Sequence, residues 1–484
     1  MNIDLKISSV EMGLYINGKW LTAADGKNFD VVNPATEEVI ANVADGTVED
    51  GLDAVAAAYA AGPAWAAMAP RQRGEILHRA FELMIANKEA LARLITQESG
   101  KALSEARGEV VYAAEFLRWF GEETVRILGE ISTSPSGANR IIVLRQPVGV
   151  AVFVTPWNFP AAMATRKIGA ALAAGCTIVL KPAKETPLTA LAMATIFEKA
   201  GVPPGVVNVL TTRRTAKAIE AMLNDSRVRK FSFTGSTETG RLLLSEAAQT
   251  VVKCSMELGG NAPFIVFADA DIEAAVAAAM VAKMRNGGES CTAANRFYVE
   301  KPVAEEFTRR FAEAMAKIQM GDGLREDVQL GPMVNASTRD KIAELVDDAV
   351  AHGARLVTGG KIPSGKGYFY PPTVLADVKS DARILKEEIF GPVAPIATFE
   401  SEAEVIALAN DTEFGLVAFV HTRDLAKAMR VAEKLETGMV GINRGLVADP
   451  AAPFGGWKQS GVGREGSHDG LLEYLESKYI AVTW

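Results

Sequence analysis

An α/β protein with two parallel-sheet domains is the fold class that this 484-residue sequence predicts. Residues 48–128 are rich in Ala, Leu, Glu and Arg with a repeat near 3.6, which is typical of successive helices. Short β-branched strands and helices then alternate twice, once before and once after residue 291. Such alternation builds parallel βαβ units covered by helices. We therefore expect two α/β domains, with the crevice between them as the default ligand site.

The first alternating set follows a β-branched, apolar stretch that breaks at two prolines, residues 140–160. Its predicted strands are 176–180, 206–210 and 230–234, and its predicted helices are 187–200, 216–223 and 237–247. The second set has predicted strands at 296–299, 355–357, 393–399, 417–421 and 439–442, and helices at 303–318 and 425–435. The final SKYIAVTW predicts a strand that pairs with residues 140–144 or with the edge of another subunit.

Composition limits the classes of function. Hydrophobic residues make up 49% and charged residues 23%, as in globular proteins. A formal charge of −8 disfavours a nucleic-acid partner, which requires a basic face. No signal peptide and no apolar run of membrane-spanning length is recognisable, so we expect a cytoplasmic protein without a membrane partner. Three cysteines without CxxC spacing and four scattered histidines predict neither disulfides nor a bound metal.

Two glycine motifs match nucleotide-binding patterns only by letter. Residues 461–466 read GxGxxG, but they follow PFGGWKQS rather than a strand, so a glycine-rich loop is the better interpretation. Residues 360–366 read GxxxxGK, but Gly367 replaces the Ser or Thr that would hold magnesium. A hairpin-like surface loop is expected there.

Three other segments carry residue types that suit acyl transfer: TPWNFP (155–160), MELGGNAP (256–263) and NGGESCTAANR (286–296). Cys291 lies in a loop of small residues before a strand, where a substrate can approach a thiol that attacks carbonyl groups. A lone cysteine is more often a buried apolar residue, which fits Cys176 and Cys254. Glu257 stands beside a Gly-Gly pair that allows close approach, and Asn158 is a plausible fixed donor between two aromatic residues.

These segments resemble the aldehyde dehydrogenase family along nearly the whole chain. The matching stretches, in the family's order, are TPWNFP, LKPAKETP, FTGSTETG, MELGGNAPFIVF, GGESCTAANR, EEIFGPV and PFGGWKQSGVGREG. The resemblance implies two Rossmann-type domains plus a small β extension for oligomerisation. The expected boundaries are 1–128 with 148–256 for the cofactor-binding domain, 257–459 for the catalytic domain, and 129–147 with 470–484 for the oligomerisation segment. A homodimer or homotetramer is expected.

The resemblance also implies the catalytic residues. Cys291 is the expected nucleophile, and Glu257 is the expected base that activates water for thioester hydrolysis. The Asn158 amide and the Cys291 backbone N–H form the implied oxyanion hole, in which one donor often contributes ~3 kcal/mol to transition-state stability. Lys167 matches a family lysine that belongs to a proton network, although a solvated lysine is an alternative.

An NADP cofactor, with NAD as the alternative, is predicted from the same match. The implied cofactor-binding residues are Thr155, Pro156, Trp157, Lys181, Gly235, Ser236, Glu388 and Phe390. NAD-specific relatives carry a glutamate three residues after the Lys181 equivalent, whereas Lys184 stands here and attracts a 2′-phosphate. Arg213 and Arg214 follow the strand at 206–210 and strengthen this expectation.

The branch of the family that the chain resembles most is the succinate-semialdehyde dehydrogenases. In that branch the equivalents of Arg166 and Arg285 bind the distal carboxylate of the small aldehyde substrate, and paired arginines suit a carboxylate. Ala448 replaces a serine that assists some relatives, so glutarate semialdehyde or a broader aliphatic aldehyde is an alternative substrate. Ala293 replaces a second cysteine that serves some members as a redox switch.

Two functions from other classes compete with this prediction. A non-hydrolytic relative would transfer the acyl group to coenzyme A or reduce an acyl phosphate, but such branches generally lack the glutamate found at Glu257. A structural protein of the lens-crystallin kind would not need Cys291, Glu257 and Asn158 together.

Overall fold

The structure, a computed structural model, describes residues 3–483. The helices α1 to α14 are Val48–Ala67, Pro70–Ala86, Lys88–Ser99, Leu103–Glu123, Ala162–Ala174, Pro187–Ala200, Thr215–Leu223, Thr237–Ala248, Ile272–Met284, Ala304–Ala316, Ala336–Ala351, Glu402–Asn410, Leu425–Lys434 and Ser467–Leu472. The strands β1 to β22 are Leu14–Ile16, Lys19–Leu21, Asn28–Asn33, Glu38–Ala44, Glu130–Thr133, Arg140–Pro147, Val150–Val154, Thr177–Lys181, Val207–Val209, Val228–Thr234, Lys253–Glu257, Ala262–Val266, Ala294–Glu300, Arg355–Thr358, Thr373–Ala376, Val393–Phe399, Phe414–Gly415, Val417–His421, Met439–Ile442, Trp457–Lys458, Gly461–Val462 and Leu475–Val482.

The first large sheet has the strand order β2-β1-β9-β8-β7-β10-β11-β21. Its five central strands, from β9 to β11 in that order, are parallel, and α5 to α8 connect them in sequence. β7 and β8 are buried along their whole length, which explains their uninterrupted apolar sequences. The strand order reverses between β7 and β10, and open α/β sheets bind ligands at the carboxyl ends of such a pair.

The second large sheet has the order β14-β15-β16-β13-β12-β18-β19, and every pair in it is parallel except β14 with β15. Only residues 258–261 separate β11 of the first sheet from β12 of the second. The carboxyl end of β11 is thereby brought to the amino end of β12. Separate apolar cores cover the two sheets. The predicted fold class with two parallel-sheet domains is confirmed.

The third sheet has the order β22-β6-β5 and is antiparallel. The C-terminal strand pairs with β6 over eight residues, from Leu475 opposite Pro147 to Val482 opposite Arg140. The predicted pairing with residues 140–144 is confirmed, and it extends further than predicted. Both outer strands are largely exposed, including Ile131 at 76% and Tyr479 at 58%.

Several elements were not predicted, for identifiable reasons. All thirteen residues of α5 are buried, so its sequence has no solvent face that would reveal helical periodicity. The helices α11 and α12 were also missed, although Asn335 and Ser401 cap them through side-chain oxygens, a recognisable start signal.

The glycine motif at 461–466 forms the edge strand β21 and the turn before the six-residue α14. No helix within residues 3–483 combines the length and apolar character needed to cross a membrane.

Candidate active site

A cleft of about 200 Å³ lies at the carboxyl ends of β7 and β10, where the strand order of the first sheet reverses. Eight of the predicted site residues line it: Pro156, Trp157, Asn158, Gly235, Ser236, Cys291, Glu388 and Phe390. Met163, Thr234, Leu258 and Gly259 complete the lining. Residues far apart in sequence therefore meet on one surface because parallel strands end at the same edge.

Gly235 and Ser236 follow β10 directly and begin α8. Ser236 caps this helix by accepting a hydrogen bond from the Thr239 backbone N–H at 3.4 Å. The first N–H groups of a helix lack partners within the helix and favour anions. This end of α8 is therefore suited to the pyrophosphate of a dinucleotide.

A tight turn positions Cys291 ahead of β13. Asn286, Gly287 and Gly288 all adopt left-handed backbone conformations, with φ of 54°, 61° and 79°. A Cβ at Gly260 would lie 2.2 Å from the Cys291 carbonyl oxygen. Gly260 is thus needed for the close approach of the Cys291 loop, whereas a Cβ at Gly259 would lie 2.9 Å from Glu388 Oε2.

The Cys291 thiol strongly favours its protonated form. Burial raises its pKa to about 12, and the negative charges of Glu388 and Glu257 act in the same direction. The guanidinium groups of Arg166 and Arg285 lower the pKa of this thiol but do not outweigh burial. Both arginines therefore lie within electrostatic reach of the sulfur.

The Glu257 carboxyl ends β11 and is only 2% exposed. Burial, followed by the negative charge of Glu465, raises its pKa well above the ordinary value. Within residues 3–483, neither carboxyl oxygen has a hydrogen-bond partner. A carboxyl group with free oxygens and a raised pKa is suited to accept a proton near neutral pH.

A buried ion network lies behind Glu257. Lys167 donates to Ser232 Oγ at 2.8 Å and also to Glu465. Arg166 Nη1 donates to Glu465 Oε2 at 3.3 Å. Although burial opposes it, the Lys167 and Arg166 cations lower the pKa of Glu465 and keep it ionised. Sequence reasoning missed Glu465, and an acidic residue inside the glycine-rich GREG segment was the available signal.

Asn158 is buried and firmly held. Its Nδ2 donates to the Glu289 carbonyl at 3.0 Å, which leaves the second amide hydrogen for a ligand. The backbone carbonyl oxygen of Asn158 accepts hydrogen bonds from Lys101 Nζ at 2.6 Å and from Asn286 Nδ2 at 3.0 Å. Lys101 also forms a buried ion pair with Glu109. Neither member of that pair was singled out from the sequence.

The opposite wall of the cleft is formed by the EEIFGP segment. The Phe390 ring contacts Trp157 edge-on at 5.4 Å between centroids. Glu388 Oε1 accepts from the Gly260 backbone N–H at 3.0 Å, and burial raises its pKa to about 7. Lys283, which the sequence analysis did not select, donates to the Gly391 carbonyl and to Asn295, and so ties this wall to β13.

The predicted adenosine-end residues lie outside the main cleft. Lys181 is 5% exposed at the end of β8, its carbonyl accepts from the Thr155 backbone N–H, and burial lowers its pKa to about 8. Lys184 is exposed and lines a separate groove together with Arg213. Arg213 pairs with Asp45, and Arg214 pairs with Asp25. Because these carboxylates partly neutralise the two arginines, they attract a 2′-phosphate less strongly than the sequence suggested.

Arg285 lies between aromatic rings, 5.0 Å from the Phe159 centroid and 5.5 Å from that of Tyr112. Among the residues that the structure describes, it has neither a hydrogen-bond acceptor nor an ion-pair partner. By contrast, the Arg166 side chain is 2% exposed and bonded to Glu465 and to the Tyr112 hydroxyl. Of the two predicted carboxylate-binding arginines, Arg166 thus already has an ion-pair partner in the protein, whereas Arg285 has none among the described residues.

A cleft at a strand-order reversal, with a helix N-terminus on one side, defines the class of α/β enzymes that bind nucleotides. The family model described as the aldehyde dehydrogenase family matches residues 20–480. The chain belongs to this family. The predicted enzyme class, an NAD(P)-dependent aldehyde dehydrogenase, is confirmed.

Individual relatives agree with this assignment. A succinate-semialdehyde dehydrogenase of Paenarthrobacter nicotinovorans is 55% identical over 444 residues, covering 92% of this chain and 99% of the relative. A glutarate-semialdehyde dehydrogenase of Pseudomonas putida is 50% identical over 469 residues, covering 97% of each. A crystal structure described as an E. coli NADP-dependent enzyme superposes with a TM-score of 0.97 at 48% identity, covering 98% of each chain. The predicted resemblance to the succinate-semialdehyde dehydrogenase branch is confirmed.

Proposed function

We propose that the protein oxidises succinate semialdehyde, or a similar ω-carboxy aldehyde, to the dicarboxylic acid with NADP. The observation that carries the proposal is Arg285, a half-buried cation that stacks against Phe159, the residue after the cleft-lining Asn158, and has no hydrogen-bond or ion-pair partner among the described residues. A guanidinium without a protein anion, within an otherwise apolar surrounding, favours a carboxylate ligand. The two semialdehyde dehydrogenases among the relatives support the same class of substrate.

In the proposed mechanism, the Cys291 thiol releases its proton to solvent water, and the thiolate then attacks the aldehyde carbon while the carbonyl electron pair moves to the oxygen. The free Nδ2 hydrogen of Asn158 and the Cys291 backbone N–H stabilise the resulting alkoxide. A bound nicotinamide dinucleotide supplies a hydride acceptor, and loss of hydride leaves a thioester on Cys291. Glu257 then takes a proton from water, which attacks the thioester and releases the acid. Lys167 and Glu465 form an ion pair behind Glu257, and their opposite charges shift the pKa of its carboxyl in opposite directions.

The residues around the cleft fit a dinucleotide. The start of α8 offers N–H groups to a pyrophosphate, Glu388 can accept from ribose hydroxyls, and Phe390 with Trp157 forms an apolar wall for the nicotinamide ring. Lys181 would hold the adenosine ribose, and Thr155 fixes Lys181 through a backbone hydrogen bond. The preference for NADP rests on Lys184, whose nearest anion, Glu185, is 3.9 Å away.

Glutarate semialdehyde is the second candidate substrate. The half-buried Ala448 leaves more room than a serine in the loop that follows β19, and a relative at 50% identity carries that activity. A non-hydrolytic reaction with coenzyme A is disfavoured because the Glu257 carboxyl, with free oxygens, is suited to activate water.

The proposed organisation follows the expected boundaries: a cofactor-binding domain (1–128 and 148–256), a catalytic domain (257–459) and an oligomerisation segment (129–147 and 470–484). The exposed apolar side chains of the third sheet support a homodimer or homotetramer. Three unpaired cysteines support a cytoplasmic location.

The test measures kcat/KM for succinate semialdehyde, glutarate semialdehyde and butyraldehyde in wild type and Arg285→Leu. Succinate semialdehyde and butyraldehyde share a four-carbon chain and differ chiefly in the distal charge. Loss of a charge-assisted hydrogen bond should cost at least about tenfold with the semialdehydes and little with butyraldehyde. Equal losses on all three would mean that Arg285 supports the Cys291 loop, and the semialdehyde assignment would be rejected.

A further inference from the structure

Lys283, in the last turn of α9, is fully buried without an ion-pair partner. Within residues 3–483, no carboxylate oxygen lies within 4.0 Å of its Nζ. The amine donates instead to two neutral oxygens, Asn295 Oδ1 at 2.9 Å and the Gly391 carbonyl at 3.1 Å. Burial lowers the pKa of this amine to about 7, because the charged form loses its water. An apolar side chain would fill the same space at lower cost, so stability alone does not account for Lys283.

Two of the segments that this amine joins lie on either side of the nucleophile. Lys283 directly precedes Met284 and the turn that leads to Cys291, in which residues 286–288 adopt left-handed backbone conformations. Asn295 follows Cys291 at the start of β13 and is 1% exposed. The hydrogen bond between the two side chains therefore closes the loop that carries the thiol.

The third segment carries the aromatic wall of the cleft. Phe390 has a left-handed backbone with φ of 55°, which is strained for a residue with a side chain and needs support from its surroundings. Its ring contacts Trp157 edge-on. The carbonyl that accepts from Lys283 belongs to Gly391, the next residue, and a Cβ at Gly288 would lie 2.2 Å from the same oxygen. Lys283 thus holds the wall against the turn before the thiol.

We infer that Lys283 is a positioning residue that sets the distance between Cys291 and the wall formed by Phe390 and Trp157. Transfer of a hydride requires the two reacting carbons to lie within about 3–3.5 Å of each other, so a small shift between thiol and wall slows this step. Acylation of Cys291 by an ester does not involve the wall. The inference rests on the proposed function, in which the nicotinamide lies against Phe390, and deepens it by assigning a residue to the hydride step.

The test is Lys283→Met, which removes both hydrogen bonds and keeps a side chain of similar size. In single turnovers with succinate semialdehyde and NADP, we expect hydride transfer to slow about tenfold or more. The isotope effect on kcat with substrate deuterated at the aldehyde carbon should increase, because hydride transfer becomes rate-limiting. Lys317→Met, at an exposed position directly after α10, is the matched control and should behave like wild type.

Two measurements do not depend on turnover with the cofactor. NADP binding, followed by calorimetry, should stay close to that of wild type, because Lys181, the start of α8 and the hydrogen bond from Gly260 to Glu388 are left intact. Release of p-nitrophenol from p-nitrophenyl acetate reports attack by Cys291 without a dinucleotide. It should change less than about twofold, since Asn286 still holds the loop through its own hydrogen bonds.

Equal losses in ester hydrolysis and in hydride transfer would show that Lys283 only supports the Cys291 loop, and would overturn the inference. An unchanged rate of hydride transfer, or an unchanged isotope effect, would overturn it as well. Lys283→Gln, which is slightly shorter but still a donor, should lose less than Lys283→Met and repeats the comparison if that variant does not fold. A wild-type enzyme that transfers no hydride from succinate semialdehyde to NADP would instead reject the proposed function.

Discussion

At the residue scale, the Cys291 thiol, which lines the cleft, and the buried Glu257 carboxyl both favour their neutral forms. Burial raises the pKa of Cys291 to about 12 and the pKa of Glu257 well above its usual range. The ionised network of Lys167, Arg166 and Glu465 lies directly behind them. Lys167 and Arg166 are both paired with Glu465, while the buried Nε of Arg166 has no hydrogen-bond partner among residues 3–483.

Cys291→Ser should abolish dehydrogenase activity while NADP still binds. The hydroxyl is a far weaker nucleophile than the thiol, and the start of α8 and Lys184 are left intact. Turnover by absorbance at 340 nm and binding by calorimetry check the two parts separately. Turnover like that of wild type in this variant would rule out covalent catalysis by Cys291.

Glu257→Gln should slow thioester hydrolysis more than hydride transfer, because only hydrolysis needs the carboxylate as a base in the proposed mechanism. Rapid mixing should therefore show a burst of NADPH followed by a slow steady state, with Glu246→Gln, at a half-buried position on α8 outside the cleft, as the control. A uniformly slow reaction without a burst would mean that Glu257 acts before the hydride step or only in the structure.

Lys184→Glu should shift the cofactor preference from NADP toward NAD. The change removes a cation that can pair with a 2′-phosphate and introduces a charge that repels it. The ratio of kcat/KM for the two cofactors is the measurement, and Lys199→Glu, at the end of α6, provides a charge-matched control. An unchanged ratio would assign recognition of the adenosine end to other residues.

At the scale of elements, α4 supports the cleft from behind. Glu109, Tyr112 and Phe116 lie on one face of this helix at helical spacing. Glu109 accepts from the Ala161 and Ala162 backbone N–H groups and pairs with Lys101, which in turn holds the Asn158 carbonyl. The helix therefore supports the oxyanion side of the cleft through Glu109, while its Tyr112 contacts Arg166 and Arg285.

Lys101→Met should lower both the stability and kcat. It leaves the buried Glu109 charge without its ion-pair partner, which typically costs about 3–5 kcal/mol, and it removes one of the two hydrogen bonds to the Asn158 backbone carbonyl. Thermal unfolding and steady-state kinetics check the two effects. Adding Glu109→Gln should restore much of the stability but not kcat, because the hold on Asn158 is still missing. Recovery of both would show that Lys101 matters only for folding.

At the scale of the whole molecule, the third sheet is more exposed than the two large sheets. Its outer strands expose Ile131 and Tyr479, whereas the two large sheets are covered by helices and separate apolar cores. Exposed strand edges with apolar side chains are characteristic of surfaces that pair with another chain.

Ile131→Glu should reduce the molar mass in solution below that of wild type, which we expect to be a multiple of 51.5 kDa. The substitution places a charge in the proposed subunit interface, where it would lose its water. Leu425→Glu, at a position that is 71% exposed at the start of α13, is the control and should leave the mass unchanged. Light scattering checks both, and a wild-type monomer would contradict the proposed oligomer.

The amino-acid sequence by itself determined the α/β class, most strands and half of the helices after residue 140, and the choice of Cys291, because periodicity and short motifs are local properties. Only the tertiary structure decided which charged side chains have a partner within the protein. Arg166 and Glu465 are 299 positions apart, and Lys101 and Asn158 are 57 apart. Such pairs depend on how α4, α5 and the C-terminal loop pack together, and no local pattern records that packing. The distinction between a paired Arg166 and an unpaired Arg285, on which the proposed recognition of substrate rests, therefore appears only in three dimensions.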